Sequence, residues 1–158
     1  MAIQQEEKRK PRYAFKRVVQ LNDAAEVQAA RLALIKHNST AALVFEFMVC
    51  VSNKRNYAPV SDADLCNLLD LSRSTVTRAI TYLAEHGFIA KVKVGAKNSY
   101  VINEYIYWRS TGALHKYQHS DLTSRGIHFS PLAIEDKDNM QVAVRKGRDR
   151  MPAEQDKQ

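Results

Sequence analysis

Apolar positions along this chain change their period several times, and each change marks an element. In "AAEVQAARLALIKHN" (residues 24–38), Val27, Ala30, Leu34 and Ile35 fall on one face of a helix that Asn22 or Asp23 can cap. Ser39 or Thr40 is then placed to cap a second helix. Its apolar residues, Leu43, Val44, Phe47, Met48 and Val51, mark it as the central core helix. "YAFKRVVQLN" (Tyr13–Asn22) reads as a short strand ahead of them. "YAPVS" reads as at most an edge strand, because proline donates no hydrogen bond to a ladder.

From Ser61 the pattern tightens. Ser61 or Asp62 caps a short helix, "DADLCNLL"; "DLS" turns the chain; and Ser72 caps "RSTVTRAITYLAEHG", which Gly87 stops. Two alternating runs follow, "FIAKVKV" and "SYVIN", joined by "GAKN". Ile89, Lys91 and Lys93 oppose Ala90, Val92 and Val94, so one face is expected in water and one on the core. "EYIYWRSTG" (Glu104–Gly112) reads as one or two further helical turns anchored by Trp108. Beyond about Asp121 the periodicity fades.

Helix, tight turn, helix and hairpin are the parts of a winged helix-turn-helix. The spacing suits it: Leu65, Leu69, Leu71, Val76 and Ala79/Ile80 take the inward positions. Cys66 is small enough for the place where the helices cross. Asp70 stands where glycine is commonest and tolerates a left-handed backbone. The expected fold class is mainly α (α+β), a winged helix-turn-helix with additional N-terminal helices and a flexible C-terminal tail. Residues 1–12 form a flexible basic arm and 13–120 the domain, with the helix-turn-helix at 62–86 and the wing at 88–103. Residues 121–158 form a largely disordered charged tail.

Charge sharpens the picture. The 158 residues hold 24 Lys+Arg against 17 Asp+Glu, a formal +7, which suits a polyanionic partner, nucleic acid or an anionic membrane surface. No apolar run approaches the roughly 20 residues that span a bilayer; "AALVFEFMVCV" is interrupted by Glu46. The N-terminus has no apolar core of a signal peptide. Cys50 and Cys66 lie in apolar helical patterns, as buried thiols of a reducing cytoplasm would. A cytoplasmic protein without a membrane partner is expected.

The outward face of the second helix of the pair is Arg73, Ser74, Thr75, Thr77, Arg78 and, one turn on, Tyr82. Small polar side chains at its start can enter a major groove about 12 Å wide, and the two arginines can pair with guanine edges or clasp phosphate. The hairpin adds Lys91, Lys93 and Lys97. From Arg73 to Lys97 there are five basic residues and one acid, Glu85. The same polar residues would be a solvated face if the unit bound protein instead. Lys54 and Arg55 read as a polar loop. His115 and His119 have metal-compatible spacing but lack the third ligand zinc needs, so no metal and no cofactor is expected. No Gly-rich phosphate loop, HExxH, GxSxG or His-hydrophobic-His triplet of nicking enzymes is present, so the chain reads as a non-enzyme. Tyr105, Tyr107 and Trp108 could stack bases, but their apolar surroundings favour a core role.

From Lys54 to Gly112, and loosely from Tyr13, the chain resembles the RepL-type plasmid replication proteins. That family has an N-terminal strand and helices, a winged helix, and a closing motif of strand, Asn-Pro, apolar residues and Arg-Gly. Here the motif reads "YVINEYIYWRSTG", with Glu104 in place of the Pro and Ser110 in place of the Gly. "DADLCNLLDLSRSTVTRAITYLAEHGFI" is equally similar to MarR-like and other winged-helix regulators. The resemblance implies a protein that binds a plasmid or phage replication origin and recruits host replication proteins without nicking DNA. The residues themselves point to double-stranded DNA, and a homodimer is expected because winged-helix proteins commonly read paired half-sites. Alternatives are a winged-helix transcriptional repressor of a mobile element and a protein-interaction adaptor.

Overall fold

The computed structural model describes residues 19–109, 122–132, 134 and 137–149. The chain runs β1 (Gln20–Leu21), α1 (Ala25–His37), α2 (Ser39–Val51), β2 (Tyr57–Ala58), α3 (Asp62–Leu69), α4 (Arg73–Glu85), β3 (Ile89–Val94), β4 (Lys97–Ile102), β5 (Tyr107–Trp108) and α5 (Lys137–Asp149). The fold is mixed α and β, with helices against two small antiparallel sheets, one ordered β2-β4-β3 and one pairing β1 with β5.

A single residue joins α1 to α2. Asn38 ends the first helix and caps the second, its Oδ1 accepting from the Ala41 N–H at 2.9 Å, so Ser39 and Thr40 lie inside the first turn and do not cap it. Nor does Asn22 or Asp23 cap α1. Ala24 holds the N-cap position without a side-chain bond, and Asn22 instead accepts from the Ala24 N–H and donates to the Tyr105 carbonyl oxygen. α2 is the core helix expected, but Phe45, not Phe47, is its fully buried aromatic, and Leu43 and Ile35 face outward. Phe45 meets Phe88 edge-on with ring centroids 5.2 Å apart. Cys50 is exposed and Cys66 only partly buried, so the pair are not the buried thiols expected.

β2 is the edge strand anticipated, lying beside β4. Between α2 and β2, Asn56 takes a left-handed backbone (φ 60°) while 2% exposed. Its Nδ2 donates to the Tyr107 carbonyl oxygen at 2.6 Å, its own carbonyl accepts from the Ile102 N–H, and its Oδ1 accepts from the Arg109 N–H. One side chain and its backbone thus tie the two sheets together. Among the described residues 104–109 the expected helical turns do not form: Tyr107 and Trp108 pair with Leu21 and Gln20 as β5, and 110–112 lie outside the described residues. Pairing with a strand from the other end of the domain overrides local pattern here.

The hairpin departs from a simple wet and dry face. β4 begins at Lys97, leaving a two-residue turn in which Gly95 alone has positive φ, the pattern of a type II′ turn. Ile89, Tyr100 and Ile102 pack on the main core, whereas Val92 and Val101 pack with Leu122, Tyr57, Ile127 and Phe129 on the opposite side. Val94 is exposed. Both faces near the strand bases are therefore covered.

That second cover comes from the segment expected to be a disordered tail. Leu122 and Ile134 are buried, Leu132 and Met140 pack on the main core, and α5 lies along α1. Arg148 Nη2 closes the contact on the Asp23 carboxylate at 2.7 Å. Met140, Val144 and Arg148 recur every fourth residue, an amphipathic signal too short and too charged to stand out from its polar surroundings. Residues 1–18, including the expected basic arm, lie outside the described residues.

Candidate nucleic-acid interface

α3 begins with a reciprocal capping box. The Ser61 hydroxyl accepts from the Asp64 N–H, and the Asp64 carboxylate accepts from the Ser61 N–H at 2.9 Å. Those bonds from the Ser61 N–H and hydroxyl, helped by the charge of Lys97, hold the Asp64 carboxyl below its ordinary range. α3 ends at Asp70, whose left-handed backbone (φ 52°) turns the chain in the glycine-like way anticipated; the Leu71 N–H returns to the Cys66 carbonyl at 3.0 Å. Leu65, Val76, Ala79 and Ile80 are buried and Leu69 and Leu71 pack beside them, so the two helices meet through the inward residues expected.

Ser72 starts α4. Its hydroxyl accepts from the Thr75 N–H at 3.2 Å and lies within hydrogen-bonding distance of the Ser74 and Thr75 hydroxyls. Thr75 is therefore drawn toward the cap. Thr77 turns its hydroxyl back to the Arg73 carbonyl at 2.9 Å. Arg73 and Arg78 are exposed, and among the described residues neither side chain has a hydrogen bond or ion pair.

Steps of three and four residues from Ser74 reach Thr77 and Arg78, then Thr81, then Glu85. This outermost stripe lies opposite the buried Val76, Ala79, Ile80 and Leu83. Sequence reasoning missed Thr81 and Glu85, although the same counting finds them. Tyr82 belongs to the margin of the core: it is partly buried and its ring stacks on His86, with centroids 4.0 Å apart. The helix closes with the Phe88 N–H on the Leu83 carbonyl and the Gly87 N–H on that of Ala84, at φ +79° for Gly87.

The register divides the three hairpin lysines. Lys91 pairs with Tyr100 and Lys93 with Asn98, so both share the face on which Ile89 and Tyr100 meet the helices. Lys97 pairs with Val94 on the other face. Lys91, Lys93 and Lys97 are all exposed. At the centre of the junction, the Tyr100 hydroxyl donates to Asp62, anchoring β4 to the first turn of α3. Burial first, and then Asp62, push the Tyr100 hydroxyl well above its ordinary range.

Tyr107 and Trp108 are buried, as a core role requires, but Tyr105 is 48% exposed and donates to Glu26 at 2.6 Å. Arg31 lies over the Tyr107 ring, 5.1 Å from its centroid, and pairs with Glu46 at 3.6 Å. His115 and His119 lie outside the described residues. No described helix is long and apolar enough to cross a membrane. No protein-family model, curated protein or solved structure matches the chain.

Proposed function

We propose that this protein is a sequence-specific binder of double-stranded DNA, built as a winged helix-turn-helix with α4 as the reading helix and β3–β4 as the wing. The observation that carries this reading is the exposed start and outward stripe of α4: among the described residues, Arg73 in the first turn, beside the stripe, and Arg78 on it have no hydrogen bond or ion pair and stand among small hydroxyl side chains. An arginine left without an intramolecular acceptor is free to pair bidentately with the O6 and N7 of guanine. Ser74, whose hydroxyl also lies within hydrogen-bonding distance of Ser72, keeps spare acceptor capacity at the helix start, where free backbone N–H groups attract phosphate.

Lys91 and Lys93, on the helix-facing side of the hairpin, supply phosphate contacts. Thr75 and Thr77 act mainly by shaping the helix start, because their hydroxyls are already engaged. Tyr82 supports α4 from its margin.

The resemblance to RepL-type proteins favours a cytoplasmic replication initiator of a plasmid or phage. It would act as a homodimer that recruits host replication proteins without cutting DNA and needs no cofactor. Leu32, Ile35 and Leu43, exposed on α1 and α2, offer apolar surface for pairing two copies, and paired copies read paired half-sites.

A footprint of the purified protein across the DNA around its own gene tests the reading. Protection of repeated sites at an origin supports the initiator, and protection of a promoter palindrome makes the protein a repressor. No protection even at low salt removes the DNA-binding reading in favour of a protein-interaction adaptor.

A further inference from the structure

Away from the α4 stripe, the start of α3, the loop before β2, the hairpin tip and the 122–132 segment enclose an open groove of about 1220 Å³. Its cations come from separate parts of the chain: Arg55 from the loop, Lys93 and Lys97 from the hairpin, and Arg125 from the C-terminal segment. Two acids, Asp62 and Asp64, also line it. Both are engaged within the fold, Asp62 by the Tyr100 hydroxyl and Asp64 by the Ser61 N–H and hydroxyl. The side chains of Arg55, Lys93 and Lys97 have no hydrogen bond or ion pair among the described residues. Three of the four cations thus keep their hydrogen-bonding capacity for a ligand, and the four together outnumber the two carboxylates, whose oxygens are directed into the fold.

We propose that this groove holds a single strand of nucleic acid, with its phosphodiesters against Arg55, Lys93, Lys97 and Arg125. The shape decides between single strand and duplex. A duplex carries its phosphates on a convex cylinder, which a concave cleft meets only at the rim. A single strand bends into such a cleft, and a positive groove with an aromatic wall is the usual means of holding one. Tyr57 provides that wall, its hydroxyl fixed by Arg125 Nη1 at 2.8 Å. Concave walls of low dielectric also focus the net positive field of four cations and two carboxylates on whatever enters.

Lys93 borders both surfaces, but Arg55 and Arg125 belong to the groove and not to the α4 face, so the inference stands beside the duplex reading without resting on it. If both hold, a protein gripping duplex through α4 and a freed strand in the groove favours locally opened DNA.

The test measures fluorescence anisotropy of a labelled oligothymidylate and of a labelled duplex at low salt. It compares the unaltered chain, the double variant Arg55→Ala/Arg125→Ala, and Arg73→Ala/Arg78→Ala. The groove variant is expected to lose oligothymidylate affinity by roughly tenfold or more while duplex affinity changes far less. The α4 variant is expected to do the reverse. Should Arg125→Ala lower the melting temperature, Arg55→Ala alone carries the same comparison.

Failure of the unaltered chain to bind oligothymidylate overturns the proposal, as does unchanged affinity in the groove variants. An equal loss of duplex binding in the groove variants also overturns it, because the groove would then serve the duplex backbone. If oligothymidylate binding depends on the groove while no duplex binds, the inference stands and the α4 reading falls.

Discussion

A Cβ placed on Gly87 would lie 2.0 Å from the carbonyl oxygen of Ser130. The glycine therefore serves twice: its positive φ closes α4, and its missing side chain lets the C-terminal segment cross the helix end. Gly87→Ala is expected to cost on the order of 3 kcal/mol, combining left-handed strain with a clash against backbone that cannot rotate away. Chemical denaturation measures it. A loss of only about 1–2 kcal/mol, the range of left-handed strain alone, would mean that the crossing is loose.

Asn56 offers a second stability test. Asn56→Ala removes the bonds to Tyr107 and Arg109 and leaves an alanine at φ 60°, for an expected loss of roughly 2–4 kcal/mol. Asn56→Gly keeps the backbone conformation and loses only the side-chain bonds, so it should recover part of that loss. Equal melting of the two variants would show that left-handed strain contributes nothing at this position.

Tyr107 and Tyr100 make the fold sensitive to alkali. Burial, with the Glu46 charge and against that of Arg31, pushes the Tyr107 hydroxyl up to about 12, from an ordinary value of about 10. A raised folded value means that the stabilisation is whole below about pH 10 and is lost as pH rises through about 12. Melting temperature should fall across that window, and Tyr107→Phe should flatten the fall. In a spectrophotometric titration of the folded protein, Tyr100 and Tyr107 should ionise above the ordinary tyrosine range, and ionisation of both near about pH 10 would contradict this.

At the proposed DNA interface, Arg78→Ala should weaken specific binding by roughly 1–3 kcal/mol and relax preference at one base position. Lys93→Ala should weaken specific and non-specific duplex alike and reduce the salt slope by about 1. Titrations at several salt concentrations separate these effects. Indistinguishable behaviour of the two variants would contradict the division between base-reading and phosphate-holding residues.

Much of the α3–α4 region was legible because its signals are local. Ser61, Asp70, Ser72 and Gly87 each act within a few residues of their place in the chain, and capping chemistry is readable at that range. The first two helices were legible as helices, but their caps were not. Ser39 looked like a natural cap only because nothing in the pattern told that Asn38 alone would join the two helices. β5 depends on β1, and α5 on α1, so neither could be read from its own sequence. The same limit applied to the hairpin lysines. Alternation correctly paired Lys91 with Lys93, but the neighbours of Lys97 and the basic contribution of Arg125 required tertiary placement.

The packing of α5 along α1 has a consequence for the order of events at the ribosome. About a hundred residues separate the end of α1 from the start of α5, as their bounds show. At roughly 5–20 residues per second, α1 therefore emerges on the order of ten seconds before its partner exists. During that interval α2 can already shield one side of it, while the side reserved for α5 stays open to solvent and to other chains. The nascent protein is thus most vulnerable to association through its first helix, and it acquires its finished surface there only after α5 has been made.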